Sequence, residues 1–175
     1  ARFDVSRAMR IPTHTLAGLL HADFRLVGSV DYTTFLRATR FLTRDEREVQ
    51  KAYQHTVFNV LFNNRDDHPK NFSYLLGKDR RWMLSPAYDL TYCAGPAGYH
   101  QMDVCGEALY IHRAHLLQLA TQCAVDARWA AQVIEQQLAV AHTFAAQAKS
   151  YAIRSATQQN IAAIIAGNVT RLRTV

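Results

Sequence analysis

The chain has 175 residues, enough to bury one sizeable core but cramped for two. Apolar residues make up 49% and charged residues 19%, with seven glycines and four prolines, which excludes a disordered or collagen-like chain and favours a folded, helix-leaning one. Twenty Lys and Arg against fourteen Asp and Glu leave a net charge of +6, which suits a nucleotide, a nucleic acid or an acidic protein surface equally and selects none of them.

The opening ARFDV reads as an extended segment, neither signal peptide nor lipidation signal, and no run of 18 apolar residues follows. A single domain over residues 1–175, soluble and cytoplasmic with no membrane contact, is the expectation. Cys93, Cys105 and Cys123 are widely spaced without a CxxC pair, so they read as reduced thiols, neither disulfide framework nor zinc knuckle. Thr13 is expected to cap a short helix through about Asp23, and Asp31 a second over YTTFLRATRFL. From Asp45 to about Phe62, Val49, Ala52, Tyr53, Val57, Val60 and Leu61 recur at three and four, which predicts a long core helix. FSYLL and WML then read as a β-hairpin joined by GKDRR.

Residues 92–107 hold Gly95, Pro96, Gly98 and Gly106 without apolar periodicity and predict an irregular, mobile loop, closed by a strand-like ALYI. The last third predicts three helices, near 115–124, 127–149 and 155–172. Ala130, Ile134, Leu138, Ala141, Ala145 and Ala148 form the packing stripe of the second, and Ile161, Ile164, Ile165 and Leu172 that of the third. The fold class is therefore α+β, mainly α-helical.

NRDDHPKNF, residues 64–72, emerges directly from the predicted core helix, so a rigid scaffold would position it. Asp66, Asn71 and Asp89 offer hard oxygen ligands of the kind Mg²⁺ takes. Four residues separate Asp66 from Asn71, a turn's length, and a short hairpin can return the chain to bring Asp89 alongside. Arg65, His68 and Lys70 supply positive charge for a phosphate-bearing ligand, and Pro69 keeps His68 out of helical geometry. Without further support, an ordinary surface turn with Asp66 and Asp67 paired to Arg65 and Lys70 competes on even terms.

NRDDHPKN resembles the protein-kinase catalytic-loop pattern H-R-D-x-x-x-x-N, with Asn64 where the histidine would stand, and Asp89 falls where the Asp of Asp-Phe-Gly would. Taken together, RFD, DDHPKNFS and SPAYDL resemble the HipA-like family of serine/threonine kinases, the toxin half of bacterial toxin–antitoxin pairs. The resemblance implies a protein-kinase-like C-terminal lobe whose small hairpin carries the catalytic elements. It implies ATP and Mg²⁺ as cofactors, Asp66 as catalytic base toward a protein Ser/Thr hydroxyl, and Asn71 and Asp89 as metal ligands. His68 and Lys70 would face phosphate, Phe3 would lie at the hinge against adenine, and Tyr88 would border the nucleotide.

Two departures temper this. Leu90 and Thr91 replace the Phe and Gly after Asp89, and no Gly-rich loop, Walker sequence or phosphate-pairing strand lysine is present. A C-terminal lobe is expected, completed by an N-terminal lobe in cis or in trans and weak or inactive alone. The alternative is a non-catalytic module that engages a DNA-binding antitoxin-like partner and contributes to repression. Phe3 and Tyr88 equally suit core aromatics, and Asp67 reads as a supporting loop residue. His14, His21, His55, His112, His115 and His142 show no ligand spacing. Arg37, Arg40, Arg44 and Arg47 interleave with Asp45, Glu46 and Glu48, so a salt-paired surface is expected there and direct nucleic-acid binding is not.

Overall fold

The computed structural model describes residues 2–6 and 9–173. Three helices form its first half. α1 (Leu16–Leu20) is short and is capped by Thr15, whose side chain accepts from the Gly18 amide. α2 (Tyr32–Thr43) starts at Asp31, whose carboxylate takes the Thr34 amide at 2.6 Å, as the Asx-cap pattern predicts. α3 (Glu46–Leu61) starts at Asp45 in the same way. All six of its predicted core residues, Val49, Ala52, Tyr53, Val57, Val60 and Leu61, are buried. At about 1.5–3 kcal/mol for each large apolar side chain, that face is the main reason the helix holds. It packs on α2, α5 (Ala127–Ala148), α6 (Ser155–Arg173) and the hairpin, which makes it the central element.

The hairpin strands β4 (Ser73–Leu76) and β5 (Trp82–Leu84) pair antiparallel, Tyr74 opposite Leu84. A third strand, β3 (Thr13–Thr15), adds to the other edge of β4 with His14 opposite Tyr74. This corrects the expected cap at Thr13 and the helix reaching Asp23: Thr13 and His14 are largely exposed edge-strand residues, and the cap falls on Thr15, beside the apolar LAGLL. β1 (Val5–Ser6) and β2 (Met9–Arg10) form a separate two-stranded ribbon. Buried Glu48 accepts from the Leu84 amide at 2.9 Å and from Lys51 at 2.6 Å, pinning the hairpin to α3. Tyr74 reaches Thr39 of α2 through a 2.8 Å hydroxyl contact.

α4 (Arg113–Gln122), α5 and α6 stand close to their predicted spans. In α5, Ala130, Val133, Ile134, Leu138, Ala141 and Ala148 are buried, whereas Ala145 faces solvent and leaves the expected stripe. In α6, Ile165 and Leu172 are buried, Ile161 and Ile164 only half so, and Asn168 and Val169 complete the inner face. Asn168 Nδ2 donates to the Val60 and Leu61 carbonyls at 3.2 and 3.1 Å, satisfying acceptors that the end of α3 leaves open.

One expectation for residues 92–111 is overturned. ALYI is a bend, not a strand: the Glu107 carboxylate accepts both the Leu109 and Tyr110 amides, and the Ala108 carbonyl is taken by the His100 amide. The preceding loop is irregular but anchored, since His100, Met102 and Val104 are buried in alternation. No helix among the described residues is long and apolar enough to cross a membrane.

Candidate active site

α3 ends at Phe62, and Asn63 turns the chain with a left-handed φ of 57°. The chain then runs beside residues 89–93. Cys93 N donates to the Asn63 carbonyl at 3.0 Å, Asn63 Nδ2 to the Cys93 carbonyl at 2.9 Å, and Asn64 Nδ2 to the Asp89 carbonyl at 3.4 Å. These bonds set the Asp89 backbone against Asn64, two residues before Asp66. Asp89 sits at φ 53°, a left-handed conformation that Asp adopts more readily than most residues other than Gly. Its carboxylate is exposed and makes no hydrogen bond or ion pair among the described residues.

Pro69, Lys70 and Asn71 form one 3-10 turn with His68 extended before it, as the proline requires. Within that turn the Asn71 amide nitrogen donates to the Asp66 carbonyl at 2.7 Å. This fixes which way the amide points and leaves its Oδ1 uncommitted. The Asp66 carboxylate is 43% exposed, with Oδ1 held by Gln101 Nε2 at 2.9 Å and His68 Nε2 at 3.8 Å, too long for a hydrogen bond.

Beneath it, Asp67 is fully buried. Its Oδ2 accepts from the Tyr32 hydroxyl and His100 Nδ1, both at 2.7 Å, and its Oδ1 from the Gln101 amide at 2.8 Å. Asn59 Nδ2 donates to the Tyr32 hydroxyl at 3.0 Å, and Asn64 Nδ2 to Asn59 Oδ1 at 3.1 Å. Burial first, then the Asp67 charge, pushes the Tyr32 phenol well above its ordinary pKa, so it stays a donor. Asp67 is therefore the keystone of the turn, more than the peripheral support the sequence suggests. Tyr32, Asn59, His100 and Gln101 are residues the sequence reading did not single out.

His68 and Lys70 converge on Phe24. The His68 ring meets it edge-on at 5.8 Å, and the Lys70 ammonium lies 3.9 Å above its centroid, an attractive cation–π arrangement. His68 Nδ1 is buried without a partner. Phe3 and Tyr88 pack against each other at 5.3 Å, and the Tyr88 hydroxyl donates to the Lys70 carbonyl at 2.6 Å with Ser73 Oγ equally close. Burial raises the Tyr88 pKa. The structure thus joins the two aromatic candidates to each other and to the turn at residues 66–71. Arg65 turns away toward Gly95 and Gly98. A Cβ on Gly95 (φ 71°) would strike the Tyr99 carbonyl and lie 2.7 Å from the Arg65 Cβ. Desolvation, then Arg171, lowers the Arg65 pKa.

Elsewhere, Arg40 chelates Glu46 at 2.6 and 2.7 Å and Arg47 pairs with Asp45 at 2.7 Å, the expected salt-paired surface. A groove of about 790 Å³ lies between the α2–α3 turn and the hairpin, lined by Phe41, Arg44, Arg80 and Trp82 among others, and none of the seven candidate residues lines it. Among the described residues no group of three or more His, Cys, Asp or Glu is placed to hold a metal. Any ion here would rely on the Asn71 amide oxygen and on ligand phosphate beside Asp89, a sparse protein contribution that Mg²⁺ commonly accepts.

Comparison with known proteins bears on these residues as a set. The chain matches a chain of the solved complex of HipA, HipB and operator DNA, a toxin–antitoxin system of Shewanella oneidensis MR-1, with a TM-score of 0.72 at 15% identity. The match covers 96% of this chain and 46% of that one, so this chain spans about half its length. No curated protein matches it. The sequence model of the HipA-like C-terminal domain matches residues 1–145, which contain every candidate site residue. The chain belongs to the HipA-like C-terminal domain family.

Proposed function

We propose that this chain is a protein-kinase-like C-terminal lobe that carries the catalytic loop of a HipA-like serine/threonine protein kinase. The observation that carries the reading is the 2.7 Å bond from the Asn71 amide to the Asp66 carbonyl. It closes a turn that presents an open carboxylate and an uncommitted amide oxygen beside the backbone-anchored Asp89. In this reading Asp66 accepts the proton of a protein Ser/Thr hydroxyl as its oxygen attacks the γ-phosphorus of ATP, and the bond to the β-phosphate oxygen breaks to release ADP. Asn71 and Asp89 would hold Mg²⁺, which supplies charge neutralisation at the phosphates. Hard oxygen donors with no competing partners fit that ion. Lys70 and His68 would meet phosphate, with Phe24 restraining both, and the packed Phe3 and Tyr88 would border adenine. The remaining half of the phosphate clamp would come from an N-terminal lobe.

A second reading, engagement of a DNA-binding antitoxin, draws on the HipB–operator complex of the structural neighbour and is compatible with the first. The test is transfer of labelled γ-phosphate from ATP by the intact gene product that carries this sequence. Mg²⁺-dependent transfer is expected, with Asp89→Ala lowering it at least about 10-fold through loss of a ligand. Absence of transfer by the unsubstituted protein, or undiminished transfer by Asp89→Ala, contradicts the reading.

A further inference from the structure

Gln101 lies 35 residues beyond Asp66 in a segment without secondary structure, yet its backbone is fixed on both sides. Its N–H donates to buried Asp67 Oδ1 at 2.8 Å, and its carbonyl accepts the Gly28 amide at 3.0 Å. Its neighbours His100 and Met102 are both buried, and His100 also donates to Asp67. A side chain on such a support is held rather than swinging, and its Nε2 donates to Asp66 Oδ1 at 2.9 Å. Oδ2 of Asp66 has no hydrogen-bond or ion-pair partner among the described residues.

We infer that Gln101 is a positioning residue for Asp66: it occupies one carboxylate oxygen and so presents the other to the incoming hydroxyl. The inference rests on the phosphoryl-transfer reading above. A freely rotating carboxylate on a 43% exposed side chain samples many orientations. A single donor on a rigid support selects one, and loss of such an orienting partner typically costs 10–100-fold. Asp67 is the shared anchor. The same acid that closes the catalytic turn from below also fixes the backbone of the residue that orients Asp66 from the side.

The test compares Gln101→Met and Gln101→Glu with the unsubstituted intact gene product. Both keep the side-chain length and the backbone bond to Asp67, and neither donates to Asp66. For Gln101→Met, kcat is expected to fall about 10–100-fold with the KM for ATP and the unfolding temperature unchanged. Gln101→Glu should fall further, since it sets a second carboxylate against Asp66. Added to Asp66→Asn, Gln101→Met should cost nothing more, because it acts through the group already removed. A wild-type or raised kcat in Gln101→Met, or a further loss on top of Asp66→Asn, overturns the inference alone. Wild-type transfer by Asp66→Asn overturns the inference and the kinase reading together.

Discussion

The Tyr32 hydroxyl donates to the buried Asp67 carboxylate across 2.7 Å, joining the first turn of α2 to the turn at residues 66–71, 35 residues later. Removing one partner from a buried, hydrogen-bonded charge leaves a desolvation cost uncompensated. Tyr32→Phe should destabilise by about 1–3 kcal/mol and Asp67→Asn by about 2–4 kcal/mol, measured by urea unfolding. The two should not add: a double-mutant cycle is expected to return at least about 0.5 kcal/mol of coupling. Simple additivity would show that the bond does not organise the turn.

His55 gives the fold a pH dependence. Burial lowers its pKa from 6.5 to about 4, against a smaller opposing effect of Asp67, with the ring 4.9 Å from Phe72. Between those values the unfolded chain binds a proton that the folded chain refuses. The contribution is therefore complete above pH 6.5 and is lost as pH falls toward 4. Because the ring keeps partial contact with solvent, about 1–2 kcal/mol is expected between pH 7 and pH 5, less than the full shift would give. Urea unfolding at the two pH values should show a smaller difference for His55→Gln than for wild type. An equal difference in both would remove His55 as the cause.

Asn168 acts as a cap supplied from another helix. Its amide serves the Val60 and Leu61 carbonyls at the end of α3, just before the candidate site turn begins. Asn168→Leu keeps the branched shape but strands those acceptors, and a loss of about 1–3 kcal/mol is expected. Hydrogen exchange should localise part of it to residues 60–64. A stability loss without faster exchange there would mean that the amide does not support the turn.

Much of this architecture was legible because local and tertiary signals agree. Asp31 and Asp45 begin helices whose apolar faces are the ones buried, and Pro69 keeps His68 extended and opens the 3-10 turn that contains Asn71. β3 escaped notice because an exposed edge strand reading THT carries no hydrophobic alternation. ALYI misled because β-propensity cannot show that Glu107 will claim two of its amides. The motif exposed Asp66, Asn71 and Asp89, but their supports come from distant segments. For His100 one signal existed: His100, Met102 and Val104 alternate with Gln101 and Asp103, and all three are buried. Gly95, Pro96 and Gly98 nearby drew the whole stretch into a loop reading.

The central claim is that Asp66 accepts the hydroxyl proton. Its most direct measurement is the single-turnover rate of γ-phosphate transfer from Mg²⁺–ATP by the intact gene product and its Asp66→Asn variant, with ATP affinity measured in parallel. Asn keeps the backbone carbonyl that Asn71 grips but cannot take the proton. Near-normal ATP binding is expected, with transfer slowed about 10²–10⁴-fold. Transfer by Asp66→Asn at the wild-type rate would contradict it.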